Sequence, residues 1–411
     1  MNKRKIINDP VYGFITITSD LLFDLVEHPY FQRLRRIKQL GLADLVYPGA
    51  LHTRFHHALG AMHLMTLTLQ SLKDKGHQIS DQEQEAAQAA ILLHDLGHGP
   101  FSHVLENVLM PGVKHEAITL VLMQQLNQEL SGRLQLAIEM FEGTYSRRFF
   151  HQMISSQLDM DRMDYLNRDS FYTGVVEGSI GADRLIKMFD LSHDELVVEE
   201  KALLSIESFL HARRLMYWQV YLHKTLLCAQ AMLTQIMHRA RLLSREGVTL
   251  FATPAFTKFL KEEYSLEGFQ ENKELLEAFN DLDDNDVWAS VKAWTAHDDF
   301  VLSRLSKALL NRNLFKIAFF DNQPDANVLN QLKNELLREG IDESLMDYFL
   351  VSGLTINSGY ENQRDPIRVK MKTGELLDIA EASDVPTIEA LTKIVRKYYV
   401  CWTKPVSLRG W

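Results

Sequence analysis

A histidine and an aspartate stand side by side at the end of an apolar segment, at His94 and Asp95. An imidazole nitrogen and a carboxylate oxygen are both common ligands of divalent metals. His57, upstream, and Asp161, downstream, supply one further ligand of each type. Three segments that meet at one ion leave coordination positions open for water and substrate, as a catalytic metal requires. The pattern predicts a hydrolytic site for a divalent metal, and Mn, Mg, Fe and Zn all suit these ligands.

Further ionisable side chains lie close to this segment in the sequence. His98 and His103 follow His94 within ten positions, and His115 adjoins Glu116. A hydrolase needs a general acid for its leaving group, with a pKa near neutrality. A carboxylate beside His115 could orient that imidazole. His98, His103, His115 and Glu116 are therefore candidate catalytic residues.

Arginine and tyrosine residues indicate a phosphorylated ligand. The basic candidates for phosphate binding, where the arginine fork pairs well with phosphate oxygens, are Arg54, Arg162, Arg213 and Lys224. Arg213, Tyr217 and Tyr221 recur every four residues, as do Tyr165 and Asp169, so each set shares one helix face. Such faces are typical of a pocket for a sugar and a base. A tyrosine ring would exclude a 2′-hydroxyl, and a carboxylate would accept a hydrogen bond from a 3′-hydroxyl.

The elements that must position these residues are mostly helices. Apolar residues recur at helical spacing through most of residues 20–245, most clearly in 21–26, 31–37, 58–72, 83–96 and 205–244. The helix over 83–96 carries His94 and Asp95 at its C-terminal end, where Gly97 and Gly99-Pro100 interrupt it. Residues 246–312 are also predicted to be helical.

The pattern changes after about residue 312. Strands are predicted over 315–320, 349–351, 354–356 and 367–371, with helices over 328–338 and 386–398. We therefore expect a mainly α protein in three parts: a catalytic core over 1–245, a helical extension over 246–312 and a small α/β region over 313–411.

Composition narrows the class of protein. The chain has 411 residues, 46% of them hydrophobic and 24% charged, which is typical of a globular protein. Its net charge of −10 argues against a general nucleic-acid coat. Two distant cysteines, Cys228 and Cys401, form no disulfide framework, and we found neither a signal peptide nor an apolar run that could span a membrane. The expectation is a cytoplasmic protein with no membrane partner.

Several motifs together resemble those of the HD-domain deoxynucleoside triphosphate (dNTP) triphosphohydrolases. The resemblance covers residues 7 to about 224, and the matching segments are 31–41, 47–50, 54–57, 94–103 and 161–169. It implies a helical HD-domain phosphohydrolase core with a small C-terminal α/β region. It also implies that water attacks the α-phosphorus of a dNTP, dGTP among them, and releases deoxynucleoside and triphosphate.

The resemblance assigns a role to each matched residue. It implies that the metal ligands are His57, His94, Asp95 and Asp161, and that the catalytic residues are His98, His103, His115 and Glu116. The implied substrate-binding residues are Arg54, Arg162 and Arg213 on the triphosphate, Tyr165, Asp169, Tyr217 and Tyr221 around the deoxyribose, and Gln39 and Leu40 near the sugar and base. Compared with the human member of the family, Arg162 replaces a lysine and keeps the charge, and Tyr217 replaces a histidine. Leu222 replaces a glutamine near the base, so base preference stays open.

Regulation is a further implication of the resemblance. Positions of the human member's activator site are matched by Lys5, Asn8, Asp9, Gln32 and Arg35, while Glu27 replaces the aspartate that reads guanine there. The resemblance therefore implies an even-numbered homo-oligomer, a tetramer or hexamer, with a dNTP as candidate activator.

Two other readings stay open. One is a different HD phosphohydrolase that acts on cyclic nucleotides, cyclic dinucleotides or single-stranded nucleic acid. The other is a non-catalytic nucleotide sensor or scaffold that keeps the fold. The sequence leaves undecided the metal, the base, the activator, the subunit number and the choice between dNTP-pool control and phage defence.

Overall fold

Helices make up most of the chain, and the strands between them are short. The computed structural model describes residues 5–101, 103–357, 359–361, 365–384, 388 and 391–404, with His103 described in its backbone only. The α-helices are α1 (Asp20–Glu27), α2 (Pro29–Gln32), α3 (Arg54–Asp74), α4 (Asp81–Leu93), α5 (His103–Leu109), α6 (His115–Glu129), α7 (Gln135–Glu142), α8 (Phe149–Ile154), α9 (Met160–Thr173), α10 (Ala182–Met188), α11 (Leu203–Met216), α12 (Lys224–Arg245), α13 (Pro254–Lys261), α14 (Leu266–Glu271), α15 (Lys273–Asp281), α16 (Asp284–Trp294), α17 (Phe300–Leu310), α18 (Ala326–Arg338), α19 (Met346–Phe349) and α20 (Ile379–Ala382).

Three small sheets accompany these helices. The strands are β1 (Lys5–Asp9), β2 (Gly13–Ile17), β3 (Phe189–Ser192), β4 (Glu195–Glu199), β5 (Lys316–Phe320), β6 (Leu350–Asn357), β7 (Arg368–Lys370), β8 (Leu376–Asp378) and β9 (Val395–Trp402). Strands β1 and β2 form a hairpin, and the other sheets have the orders β3-β4-β7-β8 and β5-β9-β6. The mainly α fold with a C-terminal α/β region is confirmed.

Helix α3 is enclosed by other helices. It packs against α4 on one side and α9 on the other. Its side chains are buried almost all round, from Phe55 to Leu72, which is expected of a helix enclosed by others. This packing brings the start of α3, the end of α4 and the start of α9 together.

The C-terminal part is joined to the body through a sheet. Strand β7 pairs in parallel with β4, with Val198 opposite Val369. A continuous apolar core extends from Ile15 in β2 to Cys401 in β9. The C-terminal part thus contributes strands β7 and β8 to the sheet that contains β3 and β4, and the three-part division stays a prediction.

One C-terminal prediction is wrong. The helix expected over 386–398 is replaced from Val395 onward by strand β9, while residues 386, 387, 389 and 390 lie outside the described part. Strand β9 lies between β5 and β6 and pairs with both along its length, so sheet pairing overrides the helical spacing. The strands predicted over 349–351 and 354–356 are one strand, β6. The helix predicted over 328–338 is observed as α18.

No helix among the described residues combines the length and the apolar composition that crossing a membrane requires.

Candidate active site

Three helix ends bring the predicted metal ligands together. His57 lies in the first turn of α3, His94 directly follows α4, and Asp161 lies in the first turn of α9. The Nε2 atom of His57 is 3.3 Å from Nε2 of His94 and 3.0 Å from Oδ1 of Asp161. The distance from His94 Nε2 to that oxygen is 3.5 Å. These three side chains can hold one metal ion.

Asp95 borders the same cluster. Its carboxylate oxygens lie 3.4 Å from Nε2 of His94 and 3.8 Å from Nε2 of His57. This carboxylate also pairs with the buried guanidinium of Arg54, at 2.5 Å. Burial would raise the pKa of Asp95, but Arg54 and the nearby histidines outweigh burial and hold that pKa well below its usual range.

Each histidine ligand is oriented through its other ring nitrogen. His94 Nδ1 donates to the carbonyl of Ile91 at 2.6 Å. His57 Nδ1 donates to Oδ2 of Asp164 at 2.7 Å, and Asp164 is fully buried. Such partners determine the tautomer, so both rings present a lone pair on Nε2 to the cluster.

Asp164 belongs to a buried network that sequence reasoning missed. Arg168 bonds both oxygens of Asp164, at 2.9 and 3.0 Å, and bonds Asp9 at 2.8 Å. Gly60 in α3 makes room for this pair, because a Cβ atom there would lie 1.9 Å from Asp164 and 2.2 Å from Arg168. The only available signal was the spacing of Asp164, one helical turn after Asp161.

The electrostatics of the cluster suit a cation. Burial alone would lower the pKa of His57, but hydrogen bonds with Asp161 and Asp164 raise it to about 10. Burial would also lower the pKa of His94, but the negative charges of Asp95 and Asp161 outweigh burial and raise this pKa. Against burial, the two histidines hold the pKa of Asp161 far below its usual range. Two imidazoles and two carboxylates therefore fit a divalent metal, which would take the place of the histidine protons.

Two candidate catalytic histidines stack beside this cluster. The rings of His98 and His115 are 3.8 Å apart, and His98 Nε2 lies 3.3 Å from Oδ1 of Asp95. Burial, and then the charge of Arg54, holds the pKa of His98 well below its usual range. The side chain of His103 lies outside the described part, and its backbone begins α5.

His115 has two carboxylate neighbours. The predicted one, Glu116, lies 3.5 Å from its Nδ1 and is 60% exposed. Glu106, which sequence reasoning missed, is only 15% exposed and lies 3.3 Å from the same nitrogen. Glu106 also accepts the backbone N–H of His115 at 3.1 Å, so it orients both the residue and its ring.

The loop between His94 and α5 is held from several sides. The buried guanidinium of Arg33 donates to the carbonyls of Leu96 and His98 at 2.9 Å. At Gly97 a Cβ atom would lie 2.0 Å from the carbonyl of His115, so only glycine permits this approach to α6. Phe101 adopts a φ of 52°, and its N–H donates to Asp284 of α16 at 2.9 Å.

The predicted sugar-binding residues lie together. Tyr221 donates its hydroxyl to Oδ2 of Asp169 at 2.7 Å, and its ring contacts those of Tyr165 and Tyr217 at centroid distances of 6.1 and 5.1 Å. Residues Tyr217–Tyr221 form a π-helical turn between α11 and α12. A π turn changes the direction of its side chains relative to an α-helix and is frequent at functional sites.

Each of the remaining substrate candidates has its own contacts within the protein. Arg213 donates to Gln157 at 2.8 Å, and Arg162 donates to the carbonyl of Ser156 at 2.5 Å. The N–H of Gln39 bonds the carbonyl of His52 at 3.0 Å, and Leu40 is half-buried against the core.

Four of the candidate activator residues bond in pairs with one another. Lys5 pairs with Glu27 at 2.7 Å, and Arg35 donates to Gln32 at 2.8 Å. Asn8 is exposed on β1. Asp9 is buried against Arg168 and accepts two backbone N–H groups of its own turn. Their role in activation stays a prediction.

Comparison with known proteins agrees with this geometry. The HD domain profile matches residues 54–169, and an HD associated region matches residues 180–251. A crystal structure of a phosphohydrolase from Bacteroides thetaiotaomicron is 51% identical, superposes with a TM-score of 0.94, and matches 98% of this chain and 100% of that one.

Sequence relatives extend the comparison. The uncharacterized protein YwfO of Bacillus subtilis is 33% identical over 399 residues, which cover 94% of this chain and 89% of that protein. Human deoxynucleoside triphosphate triphosphohydrolase SAMHD1 is 28% identical over 284 residues, which cover 58% of this chain and 45% of that enzyme. The chain therefore belongs to the HD-domain phosphohydrolase family that includes the dNTP triphosphohydrolases.

Proposed function

We propose that the chain is a metal-dependent dNTP triphosphohydrolase that converts a dNTP and water into a deoxynucleoside and inorganic triphosphate. The observation that carries this proposal is that Asp169, on the same helix α9 as Asp161, accepts a hydrogen bond from Tyr221 at 2.7 Å. A carboxylate and a ring at that place suit a free deoxynucleotide better than a polymer. The similarity to SAMHD1 supports the same substrate class.

The chemistry follows from the groups of the site. His57, His94, Asp95 and Asp161 would hold the metal, which supplies Lewis-acid polarisation of a phosphoryl oxygen and a nucleophilic water near neutral pH. Arg54, Arg162 and Arg213 offset the charge of the triphosphate. Water adds to the α-phosphorus, the bond to the 5′-oxygen breaks, and a histidine of the group His98, His103 and His115 protonates that oxygen.

Product analysis tests the reaction. The protein is incubated with Mn²⁺ or Mg²⁺ and each dNTP in turn, and the products are separated by chromatography. We expect deoxynucleoside and triphosphate, and a loss of turnover in Asp161→Asn, because one carboxylate ligand is removed. Release of pyrophosphate or of a monophosphate would contradict the proposal. Hydrolysis of cyclic nucleotides or single-stranded nucleic acid in place of dNTPs would favour another HD activity. Metal content without any hydrolysis would favour a nucleotide sensor.

The sugar pocket has its own test. Tyr221→Ala removes the ring that would exclude a 2′-hydroxyl, so we expect this variant to gain activity on ribonucleoside triphosphates. Tyr221→Phe keeps the ring and loses only the hydrogen bond to Asp169, so it should still reject them. Equal ribonucleotide activity in the two variants would refute this explanation of sugar choice.

We further propose a cytoplasmic homo-oligomer that a dNTP activates. Activity on each dNTP, measured alone and with each other dNTP, tests activation, and a flat response would reject it. Light scattering with and without nucleotide gives the subunit number, for which we expect four or six.

A further inference from the structure

A buried histidine outside the predicted set contacts Asp169, one of the predicted sugar-binding residues. His52 precedes α3 and is 1% exposed. Its Nε2 lies 2.7 Å from Oδ1 of Asp169, and its ring stacks on Tyr172 at a centroid distance of 4.5 Å and an angle of 18°. Both contacts reach residues of α9 across more than a hundred positions of sequence.

The bond to Asp169 has a defined direction. His52 Nδ1 is buried and has no hydrogen-bond partner among the described residues. A proton on Nδ1 would be an unsatisfied buried donor, so the ring proton lies on Nε2 and is donated to the carboxylate.

Asp169 is thus held from two sides. Oδ1 accepts from His52 and Oδ2 accepts from Tyr221, both at 2.7 Å. Each oxygen has a second lone pair, so the carboxylate can still accept a hydrogen bond from a ligand. The two donors restrict rotation of the carboxylate, which keeps those remaining lone pairs in one direction.

The backbone of His52 bonds the segment that carries Gln39 and Leu40. Its carbonyl accepts the N–H of Gln39, and an isolated bridge joins the neighbouring residues Lys38 and Thr53. One residue therefore contacts both the segment that carries Gln39 and Leu40 and the side chain of Asp169.

We propose that His52 is a positioning residue for deoxyribose recognition, which aligns the Asp169 carboxylate to accept the 3′-hydroxyl of the substrate. The inference rests on the proposed dNTP triphosphohydrolase function. Without His52, Asp169 keeps only the bond to Tyr221 and can turn away from the sugar. The loss then appears as weaker recognition of the 3′-hydroxyl, while the metal cluster is unchanged.

The test compares dNTPs with 2′,3′-dideoxynucleotides of the same base. A hydrogen bond to a charged acceptor corresponds to a preference of about 10- to 100-fold in kcat/KM for the substrate that carries the 3′-hydroxyl. His52→Gln places an amide N–H near the former Nε2, and His52→Asn places the same amide near the former Nδ1, out of reach of Asp169. We expect the Gln variant to keep the preference and the Asn variant to lose most of it, through KM more than kcat.

The controls distinguish a failure of the proposed dNTP triphosphohydrolase function from a failure of the proposed role of His52. Metal content and melting temperature establish that each variant is folded and loaded, and His52→Leu serves as a second variant without a donor. In an Asp169→Asn background, replacing His52 should change the preference no further. If the wild type hydrolyses no dNTP, the proposed function fails. If it hydrolyses and discriminates, and both the Asn and Leu variants discriminate equally well, the role of His52 is refuted.

Discussion

Replacing Asp164 by asparagine should weaken metal binding, although none of the predicted metal ligands is itself replaced. The carboxylate accepts from His57 Nδ1 at 2.7 Å and from Arg168 at 2.9 and 3.0 Å, and all three residues are buried. An asparagine has one acceptor oxygen and turns an N–H₂ group toward one of these donors. The variant therefore loses the charge that orients His57 and part of the charge that offsets Arg168.

The two losses have different sizes. Removing one partner of a buried ion pair costs about 3–5 kcal/mol of folding free energy, and the lower end applies because Asp9 still pairs with Arg168. Removing a carboxylate that orients a histidine ligand lowers metal affinity about 10- to 100-fold, or about 1.4–2.7 kcal/mol.

Asp9→Asn is the matched control. Asp9 bonds the same guanidinium at 2.8 Å, and no contact joins it to His57 among the described residues. Denaturant unfolding and Mn²⁺ titration by calorimetry are measured on both variants. We expect both to lose stability and only Asp164→Asn to lose metal affinity. Equal metal affinity in all three proteins, or an equal loss in both variants, would refute the reasoning.

Three further outcomes follow from other contacts. Burial would raise the pKa of Glu83, but hydrogen bonds from Arg147, Ser80 and Tyr145 outweigh burial and lower this pKa to about 2. The ionised Glu83 therefore stabilises the folded protein fully above pH 4.5, and this stabilisation is lost as the pH falls through 2. Glu83→Gln should therefore lower the free energy of unfolding by about 1–2 kcal/mol at pH 7 and by less at pH 3, as measured by denaturant unfolding. A difference between variant and wild type that does not change with pH would contradict this. Asp284 accepts the N–H groups of Lys38 and Phe101, both at 2.9 Å, so Asp284→Ala should cost about 2–4 kcal/mol and slow dNTP hydrolysis, unlike Asp281→Ala on the exposed end of α15. Cys228 and Cys401 are buried free thiols with sulfurs 3.9 Å apart. A thiol reagent should therefore react with neither cysteine rapidly in the folded protein and with both after denaturation. Reaction with no cysteine after denaturation would indicate a disulfide.

Local pattern predicted the helices well and one C-terminal strand badly. The segment that ends at His94 is a helix because its capping box of Ser80 and Glu83 and its apolar spacing agree. Strand β9 was mistaken for a helix because its stability comes from pairing with β5 and β6, which lie far away in sequence. The β3–β4 hairpin, which was not predicted either, is stabilised by the distant β7.

The sequence by itself determined the ligand types of the site and the segments that carry them. The chain places His94, Asp95 and a glycine-rich turn one after another, so the sequence alone shows which ligand atoms this segment offers. Only the tertiary structure decided which groups orient them: Asp164 lies 107 positions from His57, and Asp284 lies 183 positions from Phe101. The physical reason is that these hydrogen bonds form only after helices pack, and helix packing depends on buried surface and not on neighbours in sequence.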